Sequence, residues 1–426
     1  MADIKNASEL LAFIKKSPSC FHAVSNIVEI LKAKGFIELN ENERWKVAKG
    51  KSYFVKRNNS SIIAFSIPED TFSRFLICAS HSDSPCFKIK ENPEMLAEDT
   101  YVRLNVEKYG GMLCAPWFDR PLSVAGRLIL KTDSPLKFEE KLVSIDEDLL
   151  IIPNLAIHMN REANDGMKYN VQNDMLPVFS CNKEIKLVEY VAESAGVSMD
   201  EVKGSDLFLY CRDEGTFIGA DRNIIASPRL DDLECAWTTL QGFIDSKNES
   251  AVKVFCVFDN EEVGSLTRQG ADSTFMEDVL RRINSACGRS EEDFHVAVSD
   301  SFMISADNAH ALHPNHSSIA DPVNRPMLNK GPVIKFNAAQ KYTTDGVSSA
   351  MFRSVCEKAG VPVQVYTNRS DIAGGSTLGN LSNAHVSLRC VDIGLAQWAM
   401  HSPYETAGVQ DVDYMISAVK EFYSAE

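Results

Sequence analysis

The spacing of apolar residues predicts alternating helices and strands toward both ends of the chain. Apolar residues three or four positions apart predict amphipathic helices in SELLAFIKKS (8–17), CFHAVSNIVEILKAKGF (20–36), LDDLECAWTTLQGFIDS (230–246), STFMEDVLRRINSAC (273–287) and VDYMISAVKEFYSAE (412–426). Short apolar runs predict strands in RFLICASHSDSP (74–85), VKVFCVF (252–258), HVAVSD (295–300), GPVIKF (331–336), VPVQVYT (361–367) and HVSLRCVDIG (385–394). This alternation indicates an α/β fold with a mixed, largely parallel central sheet and helices on both faces.

The pattern changes between about residues 95 and 220. The segments 101–111 (YVRLNVEKYGG) and 123–132 (SVAGRLILKT) alternate apolar and polar residues, which is typical of half-exposed antiparallel strands. We therefore expect a discontinuous α/β domain over residues 1–92 and 222–426, interrupted by a β-rich insertion over residues 93–221.

Composition and charge narrow the class of protein. The 426 residues carry a formal net charge of -15, which argues against a nucleic-acid partner because phosphate binding needs clustered lysine and arginine. The sequence contains no apolar run of the roughly 20 residues that a membrane helix needs. The N-terminal residues include acidic side chains and no signal-peptide core, and the 11 scattered cysteines form no CxxC motif. We expect a cytoplasmic protein with reduced, mostly buried thiols.

Acidic and histidine side chains follow several of the predicted strands. Ligands of such sheets bind beyond the carboxyl ends of the strands. The residues in question are His81 and Asp83, Asp231 and Asp232, Glu261 and Glu262, Asp300 and Asp307, and His401. Each has an ordinary explanation by itself, since an aspartate at a helix start is usually an N-cap. Together they form a nitrogen and oxygen ligand set that suits Zn, Mn or Co.

Adjacent Glu261 and Glu262 follow a buried strand. Neighbouring residues of an extended chain point to opposite sides, so the two carboxylates cannot duplicate each other. In a two-metal site that activates water, one of them would bind metal and the other would act as general base. Composition and spacing do not decide which is which, and they leave Asp300 and Asp307 as alternatives for a further ligand.

Seven segments along the chain resemble the motif series of one known family. They are SPSCFHAV, ASHSDSP, SPRLDD, DNEEVGS, ISADNAHALHPN, GPVIKFN and LAQWAMHS, and in content and order they resemble the M18 family, the aspartyl aminopeptidases. The resemblance implies a metallo-exopeptidase that removes single residues from peptides with a free N-terminus, using two divalent ions, zinc or else cobalt or manganese. It also implies that the insertion is a dimerisation domain and that the subunits assemble into a tetrahedral dodecamer.

The same resemblance assigns roles to individual residues. It implies five metal ligands: His81, Asp231 as the bridge, Glu262, Asp307 and His401. Glu261 would be the general base, and Asp83 would orient His81 or its neighbours.

Further roles concern the substrate. His158 of the insertion would reach a neighbouring subunit's active site and hydrogen-bond the developing oxyanion. His310, Lys335 and Tyr342 would contact substrate, with Lys335 favouring an acidic N-terminal residue. Asp232 stands where eukaryotic relatives more often carry asparagine.

Three other functions compete with an acid-selective aminopeptidase. An aminopeptidase with a preference for neutral residues or a metal-dependent N-deacylase would use the same ligands. An inactive assembly protein would have lost ligands or the base, whereas the five ligand positions and Glu261 are all present here.

Overall fold

The computed structural model describes residues 4–425. Its α-helices are α1 Lys5–Lys15, α2 Cys20–Ala33, α3 Val171–Asp174, α4 Leu187–Ser194, α5 Leu230–Ile244, α6 Phe275–Ala286, α7 Glu291–Asp300, α8 Gly346–Ala359, α9 Leu378–His385 and α10 Val409–Ser424. Its strands are β1 Ile37–Leu39, β2 Ser52–Arg57, β3 Ser61–Ser66, β4 Arg74–His81, β5 Cys86–Ala97, β6 Tyr101–Tyr109, β7 Leu122–Lys131, β8 Phe138–Ser144, β9 Val178–Ser180, β10 Val202–Cys211, β11 Thr216–Ile218, β12 Ile224–Ser227, β13 Ala251–Phe258, β14 Phe302–Ala306, β15 Ala309–His310, β16 Val333–Phe336, β17 Gln364–Thr367, β18 Arg389–Gly394, β19 Ala396–Trp398 and β20 Glu405–Gly408.

The chain divides into two compact units. The first comprises Met1–Asp83, Gly215–Met400 and Glu405–Glu426, and the second comprises Ser84–Glu214 and His401–Tyr404. The predicted insertion, residues 93–221, starts and ends later along the chain than the continuous part of the second unit, Ser84–Glu214. The role of the insertion in dimerisation stays a prediction.

The first unit is built on a nine-stranded sheet with the order β1-β2-β3-β13-β4-β14-β18-β16-β17. Its centre is parallel, since β13 pairs with β4, β4 with β14, and β14 with β18 in the same direction. Antiparallel pairs occur at β2–β3, β3–β13 and β16–β18. The predicted mixed, largely parallel sheet is therefore confirmed.

Both faces of this sheet are buried by helices. Along β13, Phe255 and Val257 belong to one apolar cluster, whereas Val254 and Cys256 belong to another. The first cluster includes side chains of α1, α2, α5, α8 and α10, and the second includes side chains of α6, α7 and α9. Since successive strand residues point to opposite faces, the two clusters are the two sides of one sheet.

A smaller five-stranded sheet of the first unit has the order β11-β12-β20-β19-β15. The second unit contains one six-stranded sheet with the order β8-β7-β10-β5-β6-β9, and all of its pairings are antiparallel. The apolar side chains of this sheet pack with α4 around a separate core that includes Trp117 and Leu187. The alternating patterns at 101–111 and 123–132 correctly predict β6 and β7.

One predicted strand is wrong. Residues 295–300 (HVAVSD) form the second half of helix α7, and the strand that follows is β14. The helix starts at a capping box in which the Ser290 hydroxyl accepts the Asp293 N–H and the Asp293 carboxylate accepts the Ser290 N–H. Only Phe294 and Ala297 of this helix are buried, so the short apolar run fits one face of a helix.

No helix among residues 4–425 is long and apolar enough to cross a membrane. The cysteines are spread over both units and most of them are buried, as the sequence predicts.

Candidate active site

Three neighbouring strands of the central sheet end beside one another. In the register of β13 and β4, Phe258 lies opposite His81, so the turn after β13 begins level with that histidine. Strand β14 lies on the other side of β4 and ends at Ala306, one residue before Asp307. The topology therefore brings His81, Asp307 and the turn with Glu261 and Glu262 to the same sheet edge.

His81 is the centre of a buried acidic cluster. Its Nε2 atom lies 3.5 Å from Asp231 Oδ1, 3.9 Å from Asp307 Oδ1 and 4.0 Å from Asp232 Oδ2. All four residues are buried, and one ligand atom from each lies within 4.8 Å of the others. His81 forms a second such group with Glu261 and Glu262. The cluster accordingly has the spacing of a metal site.

Asp231 and Asp232 are not helix caps, although they open α5. The N-cap residue is Arg229, which has a left-handed φ of 55°, and both aspartates have non-helical backbone angles. Asp231 donates its backbone N–H to Glu405 Oε2 at 3.0 Å, and Asp232 Oδ2 accepts the His81 N–H at 3.1 Å. The irregular first turn thus holds both carboxylates at the strand ends.

Glu261 and Glu262 lie in a tight turn. They open the 3₁₀ turn Glu261–Val263, which is bounded by Asn260 and Gly264 with φ of 63° and 97°. Asp83 Oδ1 accepts the Glu261 N–H and Asp83 Oδ2 accepts the Glu262 N–H, both at 3.2 Å. Both glutamates are partly exposed, whereas His81, Asp231, Asp232 and Asp307 are buried, so the glutamates lie at the rim of the cluster.

The pKa values of the cluster are shifted by burial and by the mutual repulsion of its carboxylates. Burial raises the pKa of Asp232 and of Glu262, and the neighbouring carboxylates raise both further. Burial, aided by Asp307 and Asp83, also raises the pKa of Glu261, to about 8. Burial alone would lower the pKa of His81, but the charge of Asp232 and bonds to Asp231 and Asp307 reverse this and raise it.

The residues fit a divalent cation. Several carboxylates packed around one imidazole repel one another, and a cation among them would remove that repulsion. Nitrogen and oxygen donors without cysteine suit zinc in a catalytic site, and cobalt and manganese accept the same donors.

His401 lies in the short segment His401–Tyr404, which belongs to the second compact unit. Its Nδ1 atom is 2.7 Å from the carbonyl oxygen of Gly111, and its backbone has a left-handed φ of 67°. A hydrogen bond from one ring nitrogen to a carbonyl is the usual way in which a ligating histidine is oriented through its other nitrogen.

Two of the candidate substrate residues, Lys335 and Tyr342, lie beside the acidic cluster. Lys335 is buried and extends its Nζ to 3.3 Å from Asp307 Oδ2 and 2.9 Å from the Asn308 carbonyl oxygen. The Tyr342 ring lies 5.5 Å from the same Nζ. Burial would lower the pKa of Lys335, but Asp307 reverses the effect and raises it. The cationic lysine is therefore paired with a candidate metal ligand.

Two histidines and one aspartate lie outside the cluster. His310 is exposed, and its ring centroid is 5.9 Å from that of Tyr366. His158 is exposed in an irregular loop of the second unit. Asp300, the alternative to Asp307, ends α7 with its side chain 56% exposed and lies 3.7 Å from Arg74. Asp307, not Asp300, thus belongs to the cluster around His81.

Sequence reasoning missed Glu405 and Asn308, which support the cluster. Glu405 is buried and binds the Asp231 N–H, while the Asn308 amide donates to Glu234, Gln397 and the Leu230 carbonyl. Both residues lie close in sequence to candidate ligands, Asn308 directly after Asp307 and Glu405 four residues after His401. A polar residue that directly follows a ligand is the signal that could have identified Asn308.

A largely parallel sheet with a buried histidine and carboxylate cluster at its strand ends is the arrangement of a metal-dependent hydrolase. Residues 13–423 match the family described as Aminopeptidase I zinc metalloprotease (M18). The chain belongs to the M18 aminopeptidase family. It is therefore a metallo-exopeptidase of a zinc protease family and hydrolyses the N-terminal residue from peptides.

Individual relatives agree over the whole chain. A probable M18 family aminopeptidase 2 of Clostridium novyi is 48% identical over 431 residues, which cover 99% of each chain. In the solved complex of Ape4 and Nbr1, the matching chain is 35% identical with a TM-score of 0.95, covering 98% of this chain and 85% of that one. The mApe1 dodecamer of S. cerevisiae is 27% identical with a TM-score of 0.86, covering 99% of this chain and 96% of that one.

Proposed function

We propose that this protein is a dinuclear-metal aminopeptidase that favours aspartate or glutamate at the N terminus of its substrates. The observation that carries the proposal is the buried cluster around His81, with Glu261 at its rim. Three carboxylates and one imidazole offer ligand atoms within 4.8 Å of one another, and the three carboxylates carry more negative charge than the one imidazole can balance.

We propose five residues as metal ligands. His81, Asp231, Glu262, Asp307 and His401 would together hold the two ions. Bound divalent ions lower the pKa of water and polarise a carbonyl oxygen, which is the chemistry that peptide hydrolysis needs. Zinc is the proposed metal, and cobalt or manganese would fit the same donors.

Glu261 is the proposed general base. Its carboxylate would take a proton from the attacking water and deliver it to the amine that leaves. The Asp83 carboxylate supports this role because it fixes the backbone of Glu261, and with it the position of the side chain. Positive charge in the cluster would lower the raised pKa of Glu261 and keep the base ionised at neutral pH.

Lys335 supports the proposed preference for acidic residues. It is a buried cation beside Tyr342, and a carboxylate in a dry pocket would gain from such a partner. The same lysine is paired with Asp307, which favours the second candidate function, an aminopeptidase with a neutral preference. The two functions share one mechanism and differ only in the pocket for the N-terminal side chain.

We also propose that the subunits assemble into a dodecamer, as the S. cerevisiae relative does. His158 would then enter the active site of a neighbouring subunit and stabilise the oxyanion. Its exposure on a loop of the second unit supports a role outside its own subunit.

The proposal is tested with zinc-reconstituted protein and a panel of peptides that begin with Asp, Glu, Leu or Met, each with a free or acetylated amine. We expect cleavage of the free-amine peptides with Asp or Glu first, and loss of at least about 100-fold in kcat for Glu261→Gln. Glu249→Gln, an exposed glutamate, is the matched control. Faster release of Leu or Met would support the neutral preference, and cleavage of the acetylated set alone would refute the aminopeptidase.

The contribution of a neighbouring subunit is tested by mixing two inactive variants. His158→Ala and Glu261→Gln subunits are unfolded together and reassembled, so that some sites combine an intact Glu261 with an intact His158. Recovered activity would support His158 acting on a partner's site, and mixtures that stay inactive would contradict it. Light scattering on the same samples measures the number of subunits.

A further inference from the structure

Asp392 is a fully buried carboxylate that the proposed mechanism does not use. It lies in strand β18, where it is 0% exposed and pairs in register with Ser305 of β14. Asp307 follows Ser305 by two residues. An ionised group inside a central strand is costly unless several donors bind it, so its partners indicate what it is for.

The Asp392 carboxylate binds two separate segments. Oδ2 accepts the Thr343 N–H at 2.5 Å and the Thr343 hydroxyl at 2.6 Å, while Oδ1 accepts the Thr377 hydroxyl at 2.6 Å. The Asp392 backbone N–H adds a bond to the Thr344 hydroxyl at 2.9 Å. Hydrogen bonds to a carboxylate are about twice as strong as neutral ones, so both segments are held firmly to the sheet.

These two segments flank the candidate substrate residues. Thr343 directly follows Tyr342, whose ring lies 5.5 Å from the Lys335 ammonium, and that ammonium lies 3.3 Å from Asp307. Thr377 directly follows the glycine-rich stretch 374–376 and is the N-cap residue of α9. One carboxylate therefore connects the Tyr342 segment and the glycine-rich stretch.

Both segments also form walls of one cavity. A cavity of about 770 Å³ in the first unit is lined by residues that include Lys341, Thr344, Asn368 and Gly374. Its wall positions depend on the two segments that Asp392 binds. Asp392 therefore anchors segments that contribute residues to the lining of this cavity.

Close packing leaves Asp392 little freedom to move. A Cβ atom on Gly379, in the first turn of α9, would lie 2.7 Å from Asp392 Oδ1 and 2.9 Å from Ser305 Cβ. The helix can approach this closely only because residue 379 is a glycine. The carboxylate is thus enclosed between α9, β14 and the Thr343 segment.

We propose that Asp392 is a positioning residue for substrate selection: it holds the Tyr342 segment and the glycine-rich stretch in place around this cavity, which would receive the N-terminal side chain of the substrate. The inference rests on the proposed aminopeptidase function. It assigns Asp392 no contact with the substrate, because the residue acts through Tyr342 and through the walls of the cavity. Preorganised walls bind a substrate side chain without a further cost for ordering them.

The test removes one hydroxyl at a time. Thr377→Val and Thr343→Val keep the size of each side chain and remove the hydroxyl that Asp392 accepts, while Thr377→Ser keeps that hydroxyl. Thr239→Val is the matched control, since its buried hydroxyl bonds within helix α5 to the Cys235 carbonyl. For each variant, kcat and KM are measured on peptides that begin with Asp and with Leu, together with zinc content and the thermal midpoint.

We expect Thr377→Val to raise KM for the preferred peptide roughly tenfold, to narrow the Asp-to-Leu preference, and to leave kcat and zinc content within about twofold. Thr377→Ser and Thr239→Val are both expected to keep the KM of the wild type. Asp392→Asn, where it folds, is expected to raise KM and to narrow the Asp-to-Leu preference more than either valine variant does. Lower thermal midpoints with unchanged KM and preference would overturn the inference. Wild-type protein that cleaves none of the peptides would overturn the proposed function and this inference with it.

Discussion

Asp83 accepts the backbone N–H of Glu261 at 3.2 Å with one carboxylate oxygen, and its other oxygen accepts that of Glu262 at the same distance. The first of these oxygens also lies 3.4 Å from His81 Nδ1. One side chain therefore fixes a candidate metal ligand and the turn that carries the candidate base. Such supporting residues set the orientation of ligands that they do not replace.

Replacing Asp83 by asparagine should weaken metal binding through His81 and also slow catalysis through Glu261. The amide can accept through one oxygen only, and its NH₂ group would face an N–H donor. We expect kcat to fall about 10- to 100-fold and zinc to bind about tenfold more weakly, as measured by peptide hydrolysis and by zinc titration. Asp70→Asn, at an exposed position, should match the wild type. Equal loss in both variants would contradict the role of Asp83.

The sequence predicts the sheet well because its strands are continuous apolar runs, and it predicts α7 poorly. The run 295–298 (HVAV) looks like a strand, yet Ser290 and the acidic residues that follow it form a capping box. That signal was present in the sequence and outweighs the β-branched residues. Capping residues therefore decide between helix and strand where an apolar run is short.

The candidate site is predictable in composition but not in its pairings. Asp300 and Asp307 both follow apolar residues, so the local pattern leaves them as alternatives; the resemblance to the M18 family selects Asp307, and the strand order places it beside His81. The sequence predicts Lys335 as a substrate contact, whereas in the structure its ammonium group is paired with Asp307. Contacts between distant segments such as these depend on topology, which local patterns do not contain.

Metal removal should lower stability as well as activity. The pKa of Glu262 and of Asp232 is raised by burial, so an empty cluster must keep protons or pay for unbalanced charge. A cation at 100 times its dissociation constant adds about 2.7 kcal/mol, and we expect the thermal midpoint to rise by several degrees. Scanning fluorimetry after chelation, and again after adding zinc, measures the shift. Calcium serves as the control cation, and an equal rise with calcium would contradict a zinc-selective site.

Acid should destabilise the protein through His22. Burial, aided by the nearby charge of Arg229, lowers the pKa of His22 from 6.5 to about 4. Below pH 6.5 the unfolded chain binds a proton that the folded chain does not, so stability is lost as pH falls from 6.5 toward 4. Between pH 7 and pH 5 we expect a loss of about 2 kcal/mol from this residue.

The measurement for His22 is the difference between wild type and His22→Gln in urea unfolding at pH 7 and at pH 5. Glutamine does not titrate and can keep a bond to the Ser19 hydroxyl, which lies 2.8 Å from His22 Nδ1. The wild type should lose more stability than the variant between the two pH values. Equal losses would show that His22 does not contribute.

Close packing of α5 against α10 should make Gly242 intolerant of a side chain. A Cβ atom there would lie 2.7 Å from Val419 Cγ1 and 3.0 Å from the Lys420 backbone nitrogen, so the two helices would have to separate. We expect Gly242→Ala to cost about 1–3 kcal/mol by overpacking, despite the better helix propensity of alanine. Gly346→Ala, at the start of α8 with open space around it, should be neutral or stabilising. The thermal midpoints of the two variants distinguish packing from helix propensity. Propensity alone would raise both midpoints, whereas overpacking would lower the midpoint of Gly242→Ala only.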